Sequence, residues 1–250
     1  MQRYLMKIAY DGTDFCGWQI QKDVRTVQET IENALGKICK QPCPIVGAGR
    51  TDSGVHAWGQ YAHFDFSLSM QPEQIRKAIN SLLPADVQIG QVQAVAADFH
   101  ARYDALERRY RYVLARQRNP FNQRFCSHIP RAVFAQAKLE ACSKYFLGEH
   151  DFSSFSKHNP DLQHQRCIIS QLKFSLDDEK AVFEISANRF LHNMVRRIVG
   201  TLVNISITDS SPEIIQELIL RQNPSHKLIT TAPANGLFLA DVIYAGINDH

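Results

Sequence analysis

No stretch of this 250-residue chain approaches the roughly 20 consecutive apolar residues that a membrane-spanning helix needs. The opening MQRYLMKIAY reads as a strand and no signal-peptide pattern follows it, so neither export nor membrane attachment is expected. Low-complexity segments and short-period repeats are absent, which sets aside linkers and solenoid arrays. None of the six cysteines (Cys16, Cys39, Cys43, Cys126, Cys142 and Cys167) forms a C-x-x-C. In a chain of this size, not exported, they are expected as free thiols. Cys39 and Cys43 lie close together, but no second ligand pair follows to complete a zinc site.

Hydrophobic residues make up 44% and charged residues 21%, as in an ordinary globular protein with one large core or two small ones. Net charge is only +3, too mild to establish a polyanionic partner. Its distribution says more. Arg102, Arg108, Arg109, Arg111, Arg116 and Arg118 fall within seventeen residues, opposed only by Asp104 and Glu107 and interleaved with Tyr103, Tyr110 and Tyr112. Arg189, Arg196 and Arg197 form a second cluster. Such stripes suit nucleic acid, and equally a strand edge protected by charge. Composition leaves both open.

Patterning predicts strands over 3–10, 61–66, 87–95, 108–115, 167–176, 180–187 and 237–244, with a hairpin at Asp177-Asp178-Glu179. It predicts helices from about 26 to 40, from Pro72, over 130–147, over 190–205 and in SPEIIQELILRQ. Thr26 and Glu29 have capping-box spacing, and Gly148 follows the third helix where a C-cap would stand. Leu191, Val195, Ile198, Val199 and Leu202 form the expected buried face of the fourth. Each half mixes strands with helices. The expected class is α+β with two similar α/β subdomains, 1–104 and 105–250, carrying mixed, largely antiparallel sheets that flank a central basic cleft.

The stretch GAGRTDSGVHAWGQ, residues 47–60, holds four glycines around Arg50, Asp52 and His56. It contains no lysine, so it is not a G-x-x-x-x-G-K-[ST] phosphate loop, and Asp52 breaks the G-x-G-x-x-G spacing. Asp52, Ser53 and His56 could offer a metal three ligands at most. What remains is a lone carboxylate on a glycine-rich loop. It can act as a nucleophile or base, or it can merely cap its own turn.

The same stretch resembles the signature G-R-T-D-x-G-V-H-A of the tRNA pseudouridine synthase A family. YDGTDFCGWQ (10–19), DFHARYDALERRYRY (98–112), GEHDFSSF (148–155), RFLHNMVRRIVGTL (189–202) and APANGLFLADVIY (232–244) are similar to its other motifs, in the same order. Ile229, Thr230 and Cys167 stand where the family usually carries smaller residues or a threonine.

The resemblance implies a pseudouridine synthase fold and a homodimeric, cytoplasmic enzyme. It implies isomerisation of uridine to pseudouridine at positions 38, 39 and 40 of the tRNA anticodon stem-loop, with no cofactor and no metal. By resemblance Asp52 is the essential carboxylate and Tyr110 lies beside the flipped base. Arg196 pairs with the aspartate and keeps it ionised, and Arg50 contacts the RNA. Arg197, roughly 100° further round the helix, is expected at the surface or on a phosphate. Three rival readings make different demands: a catalytically silent tRNA-binding protein, a metal-dependent nuclease built on Asp52, His56 and Asp65, and an interaction module with no RNA partner.

Overall fold

The computed structural model describes residues 1–128, 135–157 and 163–247. In chain order its elements are β1 (Gln2–Tyr10), α1 (Val27–Cys39), β2 (Ile45–Gly47), β3 (His56–Phe66), α2 (Pro72–Asn80), β4 (Val87–Ala94), β5 (Ala105–Ala115), α3 (Gln136–Lys144), β6 (Gly148–Asp151), β7 (Arg166–Leu176), β8 (Lys180–Ala187), α4 (Met194–Ser206), α5 (Ile214–Arg221) and β9 (Leu237–Tyr244). Backbone contacts divide the chain into two units. One is Met1–Leu106 with the stretch from Phe238 onward; the other is Glu107–Leu237. The sequence reading carried the second subdomain through to 250, but β9 from Phe238 packs with the first unit. A strand's own pattern says that it is buried, not which sheet it returns to.

In the first unit β1 runs antiparallel to both β3 and β4, and β2 pairs antiparallel with β3. β9 joins β3 in parallel at His56–Phe238 and Ala57–Leu239. The helices supply narrow apolar faces. Val27, Ile31, Ala34 and Leu35 are the buried residues of α1, at the spacing of one helical stripe. Pro72 starts α2, which packs against β4 with Ile75 and Ile79 buried. Each such fully buried side chain contributes about 1.5–3 kcal/mol. Thr26 does sit at the N-cap of α1, but its side chain makes no capping bond. Its hydroxyl is buried without a hydrogen-bond partner among the described residues. The capping box forms instead at α2, between Gln71 and Gln74.

In the second unit β5, β8, β7 and β6 follow one another in antiparallel pairs. The β7–β8 hairpin turns where the acidic triplet predicts, because the Asp177 carboxylate accepts the Glu179 and Lys180 N–H groups at 2.9 and 2.7 Å. Ten of the thirteen residues of α4 are buried, so it is a core helix rather than an amphipathic surface one. It starts four residues later than the pattern predicts, since Asn193 (φ 64°) is left-handed. The predicted helix over 130–147 falls partly outside the described residues. Its described part ends at Lys144, and Gly148 (φ 90°) opens β6 instead of capping the helix. β2 and β6 were not foreseen; three and four residues are too few to show a period. All six cysteines are free thiols. No described helix is long and apolar enough to cross a membrane.

One buried titratable group ties the first unit's stability to pH. His63 on β3 is buried, and its Nδ1 accepts the Ala101 N–H at 3.0 Å. Burial foremost, then the Arg3 and His100 charges, lower its pKa from 6.5 to about 4, against an opposing pull from Asp65 and Asp104. The fold therefore holds the neutral ring. Its contribution is complete above pH 6.5 and is lost as pH falls towards 4. Wild type is expected to lose about 3 kcal/mol more unfolding free energy over that window than His63→Gln, measured by urea denaturation. Equal losses in the two proteins would refute the assignment.

Candidate active site

The Asp52 loop begins where β2 ends. The Ala48 N–H donates to the Tyr61 carbonyl at 2.7 Å, and the Gln60 side-chain amide donates to the Gly49 carbonyl at 2.9 Å. The chain then makes a turn closed by Val55 N–H on the Asp52 carbonyl at 3.2 Å. Gly54 has φ 76°, the conformation that a type II turn needs at this position. The turn is closed by a hydrogen bond between backbone groups. Thr51, one residue before, is buried with its hydroxyl 2.7 Å from that of Tyr10. Asp52 itself is half-buried and Arg50 is exposed.

A second segment lies against this turn. Trp18 N–H donates to the Thr51 carbonyl at 3.1 Å, and Gly54 N–H donates to the Phe15 carbonyl at 3.3 Å. The Ser53 hydroxyl also reaches the Phe15 carbonyl, at 3.2 Å. Gly12 N–H donates to His56 Nδ1 at 3.0 Å. The backbones are close enough that a Cβ on Gly12 would sit 2.0 Å from the Val55 oxygen, and one on Gly17 (φ 92°) 2.7 Å from the Thr51 oxygen. Of the loop's own glycines, Gly47 packs on the Trp18 ring, whereas a Cβ at Gly49 would meet nothing within 4 Å.

His56 is buried and stacks on Phe238, with ring centroids 4.7 Å apart. Trp58 stacks on Phe238 as well, at 4.3 Å, and stays partly exposed. His56 is therefore a packing and hydrogen-bonding residue. Among the described residues no group of three or more His, Cys, Asp or Glu is placed to hold a metal.

The second unit carries Tyr110 and Arg196. Tyr110 is half-buried on β5, edge-on to Phe190 at 5.0 Å. Arg196 is half-buried on α4; its Nε donates to the Ala232 carbonyl at 2.7 Å and its Nη1 to Asn193 Oδ1 at 3.0 Å. Tyr112, which the sequence marked only as part of a stripe, supports this arrangement. Its buried hydroxyl bonds Ser127 Oγ at 2.6 Å and the Pro233 carbonyl at 2.9 Å, next to the carbonyl that holds Arg196. Burial raises the Tyr112 pKa, so the phenol stays protonated. Arg197 is half-buried and engaged by the protein itself. It donates to the Ser156 and Pro224 carbonyls, and burial lowers its pKa. The arginine stripe is partly committed too: Arg109 pairs with Glu107 at 2.7 Å and Arg108 donates to the Asn188 carbonyl at 2.8 Å.

The family model of tRNA pseudouridine synthase matches residues 6–104 and 142–245. This chain belongs to the tRNA pseudouridine synthase family. The Asp52 loop and Arg196 lie inside the matched spans; Tyr110 falls between them. Proteins called tRNA pseudouridine synthase A are similar along nearly the whole chain. That of Chlamydia felis is 40% identical over 98% of this chain and 92% of its own. That of Listeria monocytogenes serotype 4b is 39% identical over 98% and 100%, and that of Exiguobacterium sibiricum 37% over 98% and 97%. Among solved structures, a chain of a Cbf5-Nop10-Gar1 complex matches with a TM-score of 0.37 and 9% identity, covering 80% of this chain and 54% of its own. A likeness that faint carries no argument.

The close approach around the Asp52 turn gives a paired test in this family member. Gly17→Ala should lose about 2 kcal/mol or more in urea denaturation, because it meets both a backbone oxygen and a positive φ. Gly49→Ala should stay within about 0.5 kcal/mol of wild type. Similar losses at the two sites would show that backbone proximity is not the constraint.

Proposed function

We propose that the chain isomerises uridine to pseudouridine in the anticodon arm of tRNA, with Asp52 as the carboxylate at the reacting nucleotide. The observation that carries this reading is the Asp52 turn. It is a single half-buried carboxylate whose backbone is fixed by a neighbouring segment, inside a matched span of the family model. The N1–C1′ bond breaks, the uracil turns, and a C5–C1′ bond forms. The C5 hydrogen leaves as a proton and N1 gains one. Product and substrate are isomers, so neither water nor a redox partner enters the balance.

The target must leave the base stack before a carboxylate can reach its glycosidic bond, at a cost of a few kcal/mol. Contacts to the phosphate backbone offset that cost. Arg50 suits this role, since it is exposed and no hydrogen bond or ion pair engages it among the described residues. Tyr110 offers a ring face to the extruded uracil. Arg196 contributes a fixed positive charge at the substrate. Adjacent uridines are served by reading RNA shape more than base identity. The enzyme works as a cytoplasmic homodimer without metal.

The test is tritium release from C5-labelled uracil in an unmodified tRNA transcript. Asp52→Asn should lower release at least a thousand-fold, about 4 kcal/mol of transition-state stabilisation, while tRNA binding persists. Release at the wild-type rate would remove Asp52 from the chemistry. Chelator should leave the wild-type rate unchanged; abolished release, restored by magnesium, would show that the isomerisation needs a metal.

A further inference from the structure

Phe121 is 95% exposed, at the tip of the loop that follows β5. A lone exposed apolar side chain is ordinary on a protein surface. The loop that carries this one is not. Asn119 Oδ1 accepts the N–H groups of Phe121 and Asn122 at 2.9 and 3.0 Å. Asn122 Oδ1 accepts the Asn119 N–H at 3.1 Å, and the Asn122 amide donates to the Gln117 carbonyl at 3.1 Å. From outside the loop, the Asn235 amide donates to the Gln123 and Cys126 carbonyls at 2.7 and 3.0 Å. Pro120 restricts the tip further. The backbone is thus held in one shape while its apolar side chain points into solvent. Folding gains almost nothing from a ring so exposed.

The surroundings say what the ring fits. No acidic residue stands between Glu107 and Glu140 in the sequence. Arg118 and Arg124 flank the tip and both are exposed. An exposed aromatic ring on a loop that also carries arginines is the combination that stacks a nucleobase and holds its phosphates. A pre-shaped loop also lowers the ordering cost of binding. We infer that Phe121 is a base-stacking contact for the tRNA substrate, with Arg118 and Arg124 on the adjacent backbone. The assignment rests on the proposed tRNA reading. It adds a contact in residues 105–141, which lie between the two spans matched by the family model.

Filter binding with an unmodified tRNA transcript tests it, alongside sedimentation of each variant. Phe121→Ala should bind roughly ten-fold more weakly, since stacking on an aromatic contributes a difference of that order. Phe121→Leu should be as weak, and Phe121→Trp should restore affinity. The ring is exposed, so all three variants should melt with wild type. Unchanged affinity in Phe121→Ala, or full affinity in Phe121→Leu, overturns the stacking contact. A smaller oligomer in Phe121→Ala assigns the ring to a second copy of the chain and overturns it as well. A wild-type chain that binds no tRNA removes the functional reading together with this one. Wild-type binding and tritium release alongside an indifferent Phe121→Ala remove only the Phe121 contact.

Discussion

The structure of the Asp52 site depends on how closely two backbones approach. Residues 12–18 lie against residues 51–56, and at Gly12 and Gly17 the gap is smaller than a methyl group. Only that proximity lets Trp18, Gly54, Ser53 and Gly12 make their hydrogen bonds across it. Each bond contributes about 1 kcal/mol net, yet leaving a buried member unmade costs more. The segment therefore holds the turn as a unit. A carboxylate that must meet a reacting atom within ~3–3.5 Å needs its backbone fixed to that tolerance. The glycines at 12 and 17 do for Asp52 what a rigid element does for a side chain on a helix.

The second unit solves a related problem with side chains. Arg196 sits on a helix that is otherwise core, so its charge must be met by fixed acceptors. One is the Ala232 carbonyl, which also belongs to a segment whose Ala232 N–H returns to the Arg196 carbonyl at 3.1 Å. Tyr112 fixes the next residue of that segment through Pro233. Gly200 allows the same strand of chain to pass at Thr230, where a Cβ would lie 2.2 Å from the carbonyl oxygen. Thr230 meets α4 with its side chain as well, since its hydroxyl accepts the Asn204 amide at 3.0 Å. A guanidinium fixed at Nε and one Nη keeps its direction, and direction is what a bidentate cation offers over a point charge.

Much of this was legible in the sequence, and the illegible parts share a cause. Short apolar runs, such as β8 and β9, and the buried face of α4 could be read directly because their signal is local. Asp52, Arg50 and His56 stood out because glycine-rich loops concentrate unusual residues. The capping of α1 failed because Thr26 is drawn into the core, and burial is a tertiary fact. The partners of Arg197 were illegible for the same reason: one residue from Arg196, it turns to carbonyls at Ser156 and Pro224, far away in sequence. Tyr112 looked like one more tyrosine in a stripe until Ser127 and Pro233 came to its hydroxyl. The four glycines at 47–60 looked alike in the sequence. Gly47 packs on Trp18 and Gly54 supplies the turn's positive φ, whereas a Cβ at Gly49 would meet nothing within 4 Å.

The supply of carboxylates bears on why such a site would isomerise rather than hydrolyse. A retaining glycosidase sets a second carboxyl about 5–5.5 Å from its nucleophile and uses it to protonate the leaving group and then to activate water. Residues 47–60 contain no acid besides Asp52. Asp11, at the start of the clamping segment, already accepts the Thr13 N–H at 3.0 Å and the Thr13 hydroxyl at 2.6 Å. An acceptor engaged in its own turn is a poor proton donor to a departing base. Residues 47–60 supply no second carboxyl to protonate a departing base or to activate water behind it. Rejoining through C5 is then the path that the surrounding groups oppose least.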